Sequence, residues 1–343
     1  MKYLRIAAVL ISLLMVSCLE VETTSKVNVD GTIERTVQLR GSAKSISETN
    51  FNIPRHDLDR WEITEDSLSD DRLLYHAVAN FESIGAVNQS FKLNATDPGV
   101  QIIASLVLKE GFFFTRYFYS EKLWADLPGP DLPMEPYLSQ TELDALLKNE
   151  TEEGKGLLDS VEAARLEARW ELYLGQLIFE DFIVEWREGG RRSGQSVEVE
   201  NMIQEISDPL QKALNNTNYY DENLVWKSIL KEYISPEIVE EIHAANYEGF
   251  QAFYQRWQFF EEVLIDDYNF SVELPGVIRK TSARDVQGNR MTWDPETISL
   301  FFGGIALEAE SSVIKPWSLI IAGLLLLITL VVTVAGFLRQ RRK

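Results

Sequence analysis

The feature that most constrains this chain is its C-terminal end. From Trp317 to Leu338 the sequence reads WSLIIAGLLLLITLVVTVAGFL, without one charged side chain. At 1.5 Å per residue such a helix covers about 30 Å, the hydrocarbon thickness of a bilayer, and a helix that is apolar all round has no face to offer water. One transmembrane helix is therefore expected at 317–338. The basic tail at 339–343, with Arg339, Arg341, Arg342 and Lys343, is expected in the cytoplasm, and Trp317 stands where an interfacial aromatic belongs. The rest of the chain then lies on the other side of the membrane.

The opposite end carries a second membrane signal. Lys2 and Arg5 precede an apolar run from Ile6 to Val16, and Ser17-Cys18 follows, the order of regions in a secretory leader. The run is too short to span a bilayer. Met15-Val16-Ser17-Cys18 resembles the bacterial lipobox, with Met15 where such patterns more often carry Leu. Residues 1–17 are accordingly expected to be a lipoprotein signal peptide, and Cys18 the lipidated first residue of the mature chain. Cys18 is also the one cysteine in the sequence, which excludes an intramolecular disulfide and any multi-thiolate metal site. A helical span belongs to the cytoplasmic membrane, since the outer membrane takes barrels. The expected partners are thus the lipid bilayer and other envelope proteins.

Charge points the same way. The chain carries −20 overall, and six of its positive charges (Lys2, Arg5, Arg339, Arg341, Arg342, Lys343) flank the membrane segments, so the exported body is more negative still. A body so acidic repels polyphosphate, and no nucleic-acid partner is expected. About 300 residues remain between the two membrane segments, enough for about two domains.

Within that body the hydrophobic period changes twice. Residues 21–39 alternate apolar and polar, with Asp30-Gly31 between the runs, a strong hairpin signal. Residues 41–54, rich in Ser, Thr and Asn, read as loop or short irregular structure. Alternation returns at 73–81, and 100–108 and 112–119 are β-branched and aromatic runs joined by Lys109-Glu110-Gly111. Pro128, Pro130, Pro133 and Pro136 close this part. Next, Leu158, Val161, Arg165, Ala168, Leu172, Phe179, Phe182 and Trp186 fall near one stripe of a long helix that Gly189-Gly190 should stop. Further helices are expected at about 197–214, 222–233 and 236–265, the last opened by Ser235 and Pro236. Strand signatures resume at 270–274, 290–293 and 305–314.

These signals imply an α+β fold. A discontinuous antiparallel β-rich domain (18–137 and 267–315) carries a helical insertion (138–266), between the signal peptide and the C-terminal transmembrane helix. Both terminal strands start or end within a few residues of a membrane anchor. They are expected to be close in one sheet, as neighbours, with the helices on the side away from the membrane.

One resemblance can be given on these residues. Cys18 with the Asp-Gly hairpin, then Leu274-Pro275-Gly276-Val277, Thr281-Ser282-Ala283, Gly288-Asn289, Thr292-Trp293, a last strand and a membrane helix with a basic tail resemble the LppM-like group of bacterial membrane lipoproteins. The resemblance covers about 20–125 and 267–340 and leaves out the helical middle. It implies an envelope location and a β-rich module after the lipidated cysteine, and it carries over no catalytic residue.

Side chains that could bear chemistry are scattered. His56, His76 and His243 share no ligand spacing, and neither a nucleophile elbow nor a phosphate loop occurs, so no catalytic residue, cofactor or metal is assigned. Adjacent carboxylates such as Glu261-Glu262, and the loop acids Asp66, Asp70 and Asp71, read as solvated faces of an acidic protein. The densest aromatic run, including Phe250, Tyr254 and Trp257, has the spacing of a helix core, and could also line a groove for a partner. Arg187, Arg191 and Arg192 form the body's basic cluster, either capping a helix end or docking an acidic partner. The leading reading is a non-enzymatic interaction module held to the cytoplasmic membrane. The competing readings are a cell-wall polymer hydrolase working through carboxylates between the lobes, and an accessory subunit of a transport or secretion complex.

Overall fold

The computed structural model describes residues 19–340 except 57, 70–71, 151–157 and 215–233. The expected signal peptide, Cys18, Asp70, Asp71, the helix at 222–233 and the last three residues of the basic tail lie outside the described residues. Eleven strands follow the chain: β1 (Glu20–Val27), β2 (Ile33–Gly41), β3 (Glu62–Ser69), β4 (Arg72–Phe81), β5 (Gln101–Glu110), β6 (Phe114–Trp124), β7 (Asp267–Glu273), β8 (Val277–Thr281), β9 (Asp285–Gln287), β10 (Arg290–Trp293) and β11 (Ile305–Ile314). Among the described residues there are eight α-helices: α1 (Ala43–Glu48), α2 (Ile84–Asn94), α3 (Gln140–Glu150), α4 (Ser160–Ser193), α5 (Ser196–Leu214), α6 (Pro236–Ala245), α7 (Tyr247–Ile265) and α8 (Pro316–Gln340).

The strands build two sheets, in the order β3-β4-β2-β1-β7-β10-β9 and β5-β6-β11-β8. Alternation decides which residues meet between them. Val21, Thr23, Ser25 and Val27 of β1 and Ile33, Arg35, Val37 and Leu39 of β2 point inward and are buried, as are Tyr117, Tyr119, Glu121 and Leu123 of β6. The outward residues of the larger sheet form a ladder of charges, in which Glu20 pairs with Arg40 and Arg72, and Glu22 with Arg290. The Asp30-Gly31 hairpin forms as its sequence requires, with Gly31 at a φ of 87° that only glycine adopts without strain.

Among the described residues one ion pair joins the two sheets. Arg35 of β2 donates from Nη1 and Nη2 to the two carboxylate oxygens of Glu121 on β6, at 3.0 and 3.1 Å, and from Nη1 to Ser25 Oγ at 2.6 Å. Both partners are 1% exposed. The Tyr119 hydroxyl also donates to Glu121, and burial together with that carboxylate pushes the Tyr119 phenol well above its ordinary range. The Phe91 ring of α2 lies beneath the guanidinium, 5.1 Å away.

Two expectations about the sheets are corrected. The fold is not wholly antiparallel, because β1 and β7 pair in parallel, Glu20 opposite Asp267. A parallel neighbour needs a crossover connection, and the helices between β6 and β7 belong to the long path that brings β7 back beside β1. Nor do the terminal strands share a sheet. β1 sits in the larger one, whereas β11 lies between β6 and β8 in the smaller.

The two strands also present opposite ends to their anchors. Ile314 of β11 lies opposite Phe114 and Ile305 opposite Leu123. The β1–β2 turn is at the Phe114 end, where the Tyr117 hydroxyl donates to Val29 O at 2.6 Å. Leu19 is at the other end, its N–H donating to Asp266 Oδ1 and its carbonyl accepting from Asp267 N. Beside it, Glu262 accepts from Asn50, and the Asn50 carbonyl accepts from Val100 N just before β5 begins. Leu19 and the start of α8 are therefore separated by about one ten-residue strand, on the order of 30 Å.

The helical elements differ from expectation in two places. Gly189 and Gly190 do not stop α4, which runs on to Ser193 and ends at Gly194 in the left-handed conformation with its N–H bonded to Gly190 O. They are contact points instead. A Cβ at 189 would sit 2.8 Å from both Cγ2 and the carbonyl of Ile242 on α6, and one at 190 only 2.6 Å from Val199 on α5. The expected helix at 236–265 is broken at Asn246, whose side chain donates to Glu185 O and Oε2 of α4. Trp186 then packs on Phe250, Phe182 on Phe253, and Phe260 on Phe301 just ahead of β11, so helices and sheets share one core.

Replacing Glu121 by Leu leaves the Arg35 charge buried and unpaired and is expected to cost about 3–5 kcal/mol. Urea denaturation followed by circular dichroism should show this as a lowered midpoint. The double variant Arg35→Met/Glu121→Leu should recover most of the loss.

Candidate functional site

Among the described residues several cavities have polar side chains in their walls, and two of them, at a helix–sheet junction and on an open sheet face, are the candidate sites. One is built where the chain returns from the helices to the sheet. Asp266 ends α7, with its backbone N–H bonded to Glu262 O, and its carboxylate receives the Leu19 N–H at 3.1 Å. Glu262 accepts from Asn50 and Gln258. Across from them the short helix α1 offers Lys44 and Glu48, and the space between holds about 170 Å³.

The electrostatics here are unusual for so acidic a protein. Burial pushes the Asp266 carboxyl up to about 7, against the bond from Leu19 and helped by the nearby Glu262 charge. Burial, with Glu262 beside it, pushes Glu261 up to about 7 as well, and Glu262 is raised for the same first cause. The expectation of a solvated acidic face at Glu261-Glu262 is thus corrected, since both side chains are half-buried at the end of an apolar helix. The signal for this was their position, one turn before a helix end that must dock on a sheet.

The second place is a groove of about 440 Å³ on the outward face of the smaller sheet. Pairing sets its floor. Val107 of β5 faces Phe118 of β6, Phe118 faces Glu310 of β11, and Glu310 faces Lys280 of β8. The next row holds Ser105, Ser120 and Glu308. A break in register between Glu310 and Ser311 bends β11 against β8 at this point. The result is an open depression with an apolar centre and a mixed polar rim.

The residues singled out from sequence fall elsewhere. Phe250 and Trp257 are 0% and 1% exposed and belong to the core, so neither is a surface contact in this fold. Trp257 Nε1 donates to Asp181, which also receives Arg256, an arrangement that ties α7 to α4. Tyr254 is half-buried and packs on Phe253. The three arginines are each paired within the chain while staying exposed, three guanidinium groups on two carboxylates. Arg187 bonds Glu200 on α5 through Nε and Nη2, and Arg191 and Arg192 both bond Glu188 one turn back. They gather at the α4–α5 corner, away from either cavity. The group of His76, His56 and His243 is not brought together into a metal site, and no cluster of metal-ligating side chains occurs among the described residues.

No family model matches the chain, and no curated protein matches it. Among solved structures it is similar to the NMR structure of the folded domain of LppM from Mycobacterium tuberculosis, at 9% identity and a TM-score of 0.31, over 88% of this chain and 94% of that one. Among the described residues one helix, α8, is long and apolar enough to cross a membrane.

The raised carboxyls make a pH prediction. A carboxyl whose folded-state pKa lies above its unfolded value binds its proton more tightly when folded, so stability is highest below the unfolded value and falls as pH rises. For Asp266 the window runs from about 3.8 to about 7. Asp266→Asn keeps an acceptor for Leu19 N and removes the titration. Its thermal midpoint should decline less than that of the wild type across this window, which differential scanning calorimetry at stepped pH would measure.

Proposed function

We propose that this chain is a bacterial envelope lipoprotein, held to the cytoplasmic membrane by Cys18 and α8, whose extracytoplasmic body is a non-enzymatic interaction module. The observation that carries this reading is the junction at Lys315. β11 ends at Ile314 and α8 starts at Pro316, so the sheet is joined to an apolar helix with no flexible tether. That helix is exposed round its circumference, and an aqueous medium would leave its leucines and isoleucines wet. The groove on the smaller sheet is the surface such a module would offer to an envelope protein. Its apolar centre at Val107 and Phe118 and polar rim match the anatomy of a small recognition patch.

The test is biochemical fractionation. In the native host, fed a radiolabelled fatty acid, the wild-type chain should incorporate label and stay in the membrane pellet after alkaline carbonate. Cys18→Ala should lose the label and remain in the pellet through α8. A chain that takes no label and washes out would end the proposal.

A second reading has one observation in its favour, the half-buried acids Glu262 and Asp266 beside a cavity. Carboxylates with raised pKa suit a general acid, and a cell-wall polymer hydrolase would use such a pair. If that reading holds, purified protein should release soluble fragments from peptidoglycan, and Glu262→Gln or Asp266→Asn should reduce the release by about 100-fold or more. Absence of release by the wild type removes it.

A further inference from the structure

The hairpin between β5 and β6 has a composition at odds with an exported acidic surface. Its tip is Gly111-Phe112-Phe113-Phe114, closed by Gly111 N–H donating to Phe114 O at 2.8 Å. The three phenylalanines are 56%, 48% and 38% exposed. Other exposed apolar side chains collect at the same end. Leu108 precedes the tip, Ile314 is opposite Phe114, and Val29 is carried there by the β1–β2 turn, which Tyr117 holds in place.

This end is also where α8 begins, and the hairpin is bonded to it. Lys315 N–H donates to Phe113 O at 2.9 Å, and Ser318 Oγ, in the first turn of α8, also reaches that oxygen. Lys315 Nζ pairs with Glu110 at 3.0 Å. The Phe112 ring stands edge-on to Trp317, centroids 4.7 Å apart. The exposed aromatic tip is therefore continuous with the apolar surface of the helix.

We propose that the β5–β6 hairpin tip is a third membrane contact, inserting Phe112, Phe113 and Phe114 among the lipids of the leaflet in which α8 begins. The occupant is lipid, and the surface is fixed by its continuity with α8. Phenyl rings beside an interfacial tryptophan gain from leaving water, and all the tip's neighbours that carry charge can stay at headgroup level. Lys109 and Arg116 face each other across the hairpin arms behind the tip, Lys109 over the Phe118 ring and Arg116 3.9 Å from Glu310, at the level where headgroup phosphates would lie. The hairpin thus works as a wedge that fixes how the body leans over the bilayer. The inference rests on α8 spanning a membrane, as in the function proposed above.

The experiment separates the two. Full-length protein carrying Cys18→Ser and one new cysteine, Phe113→Cys, Leu327→Cys or Leu68→Cys, is labelled with the fluorophore NBD. It is then reconstituted into phosphatidylethanolamine/phosphatidylglycerol vesicles containing phospholipid with a spin label on its acyl chain. Leu327 lies within α8, and Leu68 is an exposed residue of β3 at the Leu19 end of the larger sheet. The labels at 113 and 327 should both lose most of their emission, with that at 113 blue-shifted, while the label at 68 stays bright. A quenched 327 with an unquenched 113 overturns the wedge and leaves the anchor standing. An unquenched 327 overturns the anchor, and the wedge with it.

Discussion

The ion pair between Arg35 and Glu121 is the contact on which the architecture turns. Two sheets facing each other could slide or rotate if only apolar side chains met between them, because dispersion and the hydrophobic effect have little directionality. A bidentate guanidinium–carboxylate contact has a narrow geometry, and at 1% exposure neither group has water to fall back on. It fixes β2 against β6, and through them the placement of one sheet on the other. The arrangement has a cost, since Arg35 Nε has no hydrogen-bond partner among the described residues. An apolar pair would fill the same space with less desolvation, but would specify one alignment less strongly.

From that alignment the rest follows. With β6 fixed, its neighbours β5 and β11 set the outward rows that shape the groove, and the β5–β6 turn is carried to the end where α8 starts. With β2 fixed, β1 is placed so that β7 can zip alongside it in parallel, which puts the end of α7 and its half-buried acids against Leu19. Residues 247 positions apart in sequence are joined at that point, and the helices are enclosed in the fold between fixed ends.

Local signals were legible and long-range pairing was not. The Asp30-Gly31 hairpin and β11 follow their sequence patterns closely, because one face of each is buried and the alternation records it. β3 was hidden for the opposite reason, since almost every residue in it is exposed and no apolar rhythm marks it. Gly189 and Gly190 misled because a glycine pair can break a helix or let a neighbour approach, and only the position of Ile242 and Val199 decides. The division into two sheets could not be read at all, as it depends on which distant strands meet. The charged pair did leave a trace. Arg35 falls between Ile33 and Val37, and Glu121 between Tyr119 and Leu123, each a charge on the inward beat of an alternating strand. The aromatic run around Phe250 has the spacing of a helix core, and the packing of Phe250 on Trp186 and of Trp257 on Asp181 of α4 decides for core over groove.

The placement of Leu19 and α8 at opposite ends of the sheets changes what kind of object this protein is. Held at one end alone, an ectodomain swings about its attachment and samples a hemisphere above the lipid. In the function proposed above, acyl chains on Cys18 would hold the far end as well, both ends would be pulled to the same plane, and the strands would run along the bilayer instead of standing up from it. The molecule would then behave as a low tile lying flat. Whatever met its surface would have to come to it from within the first few nanometres above the headgroups, or sideways through the membrane itself.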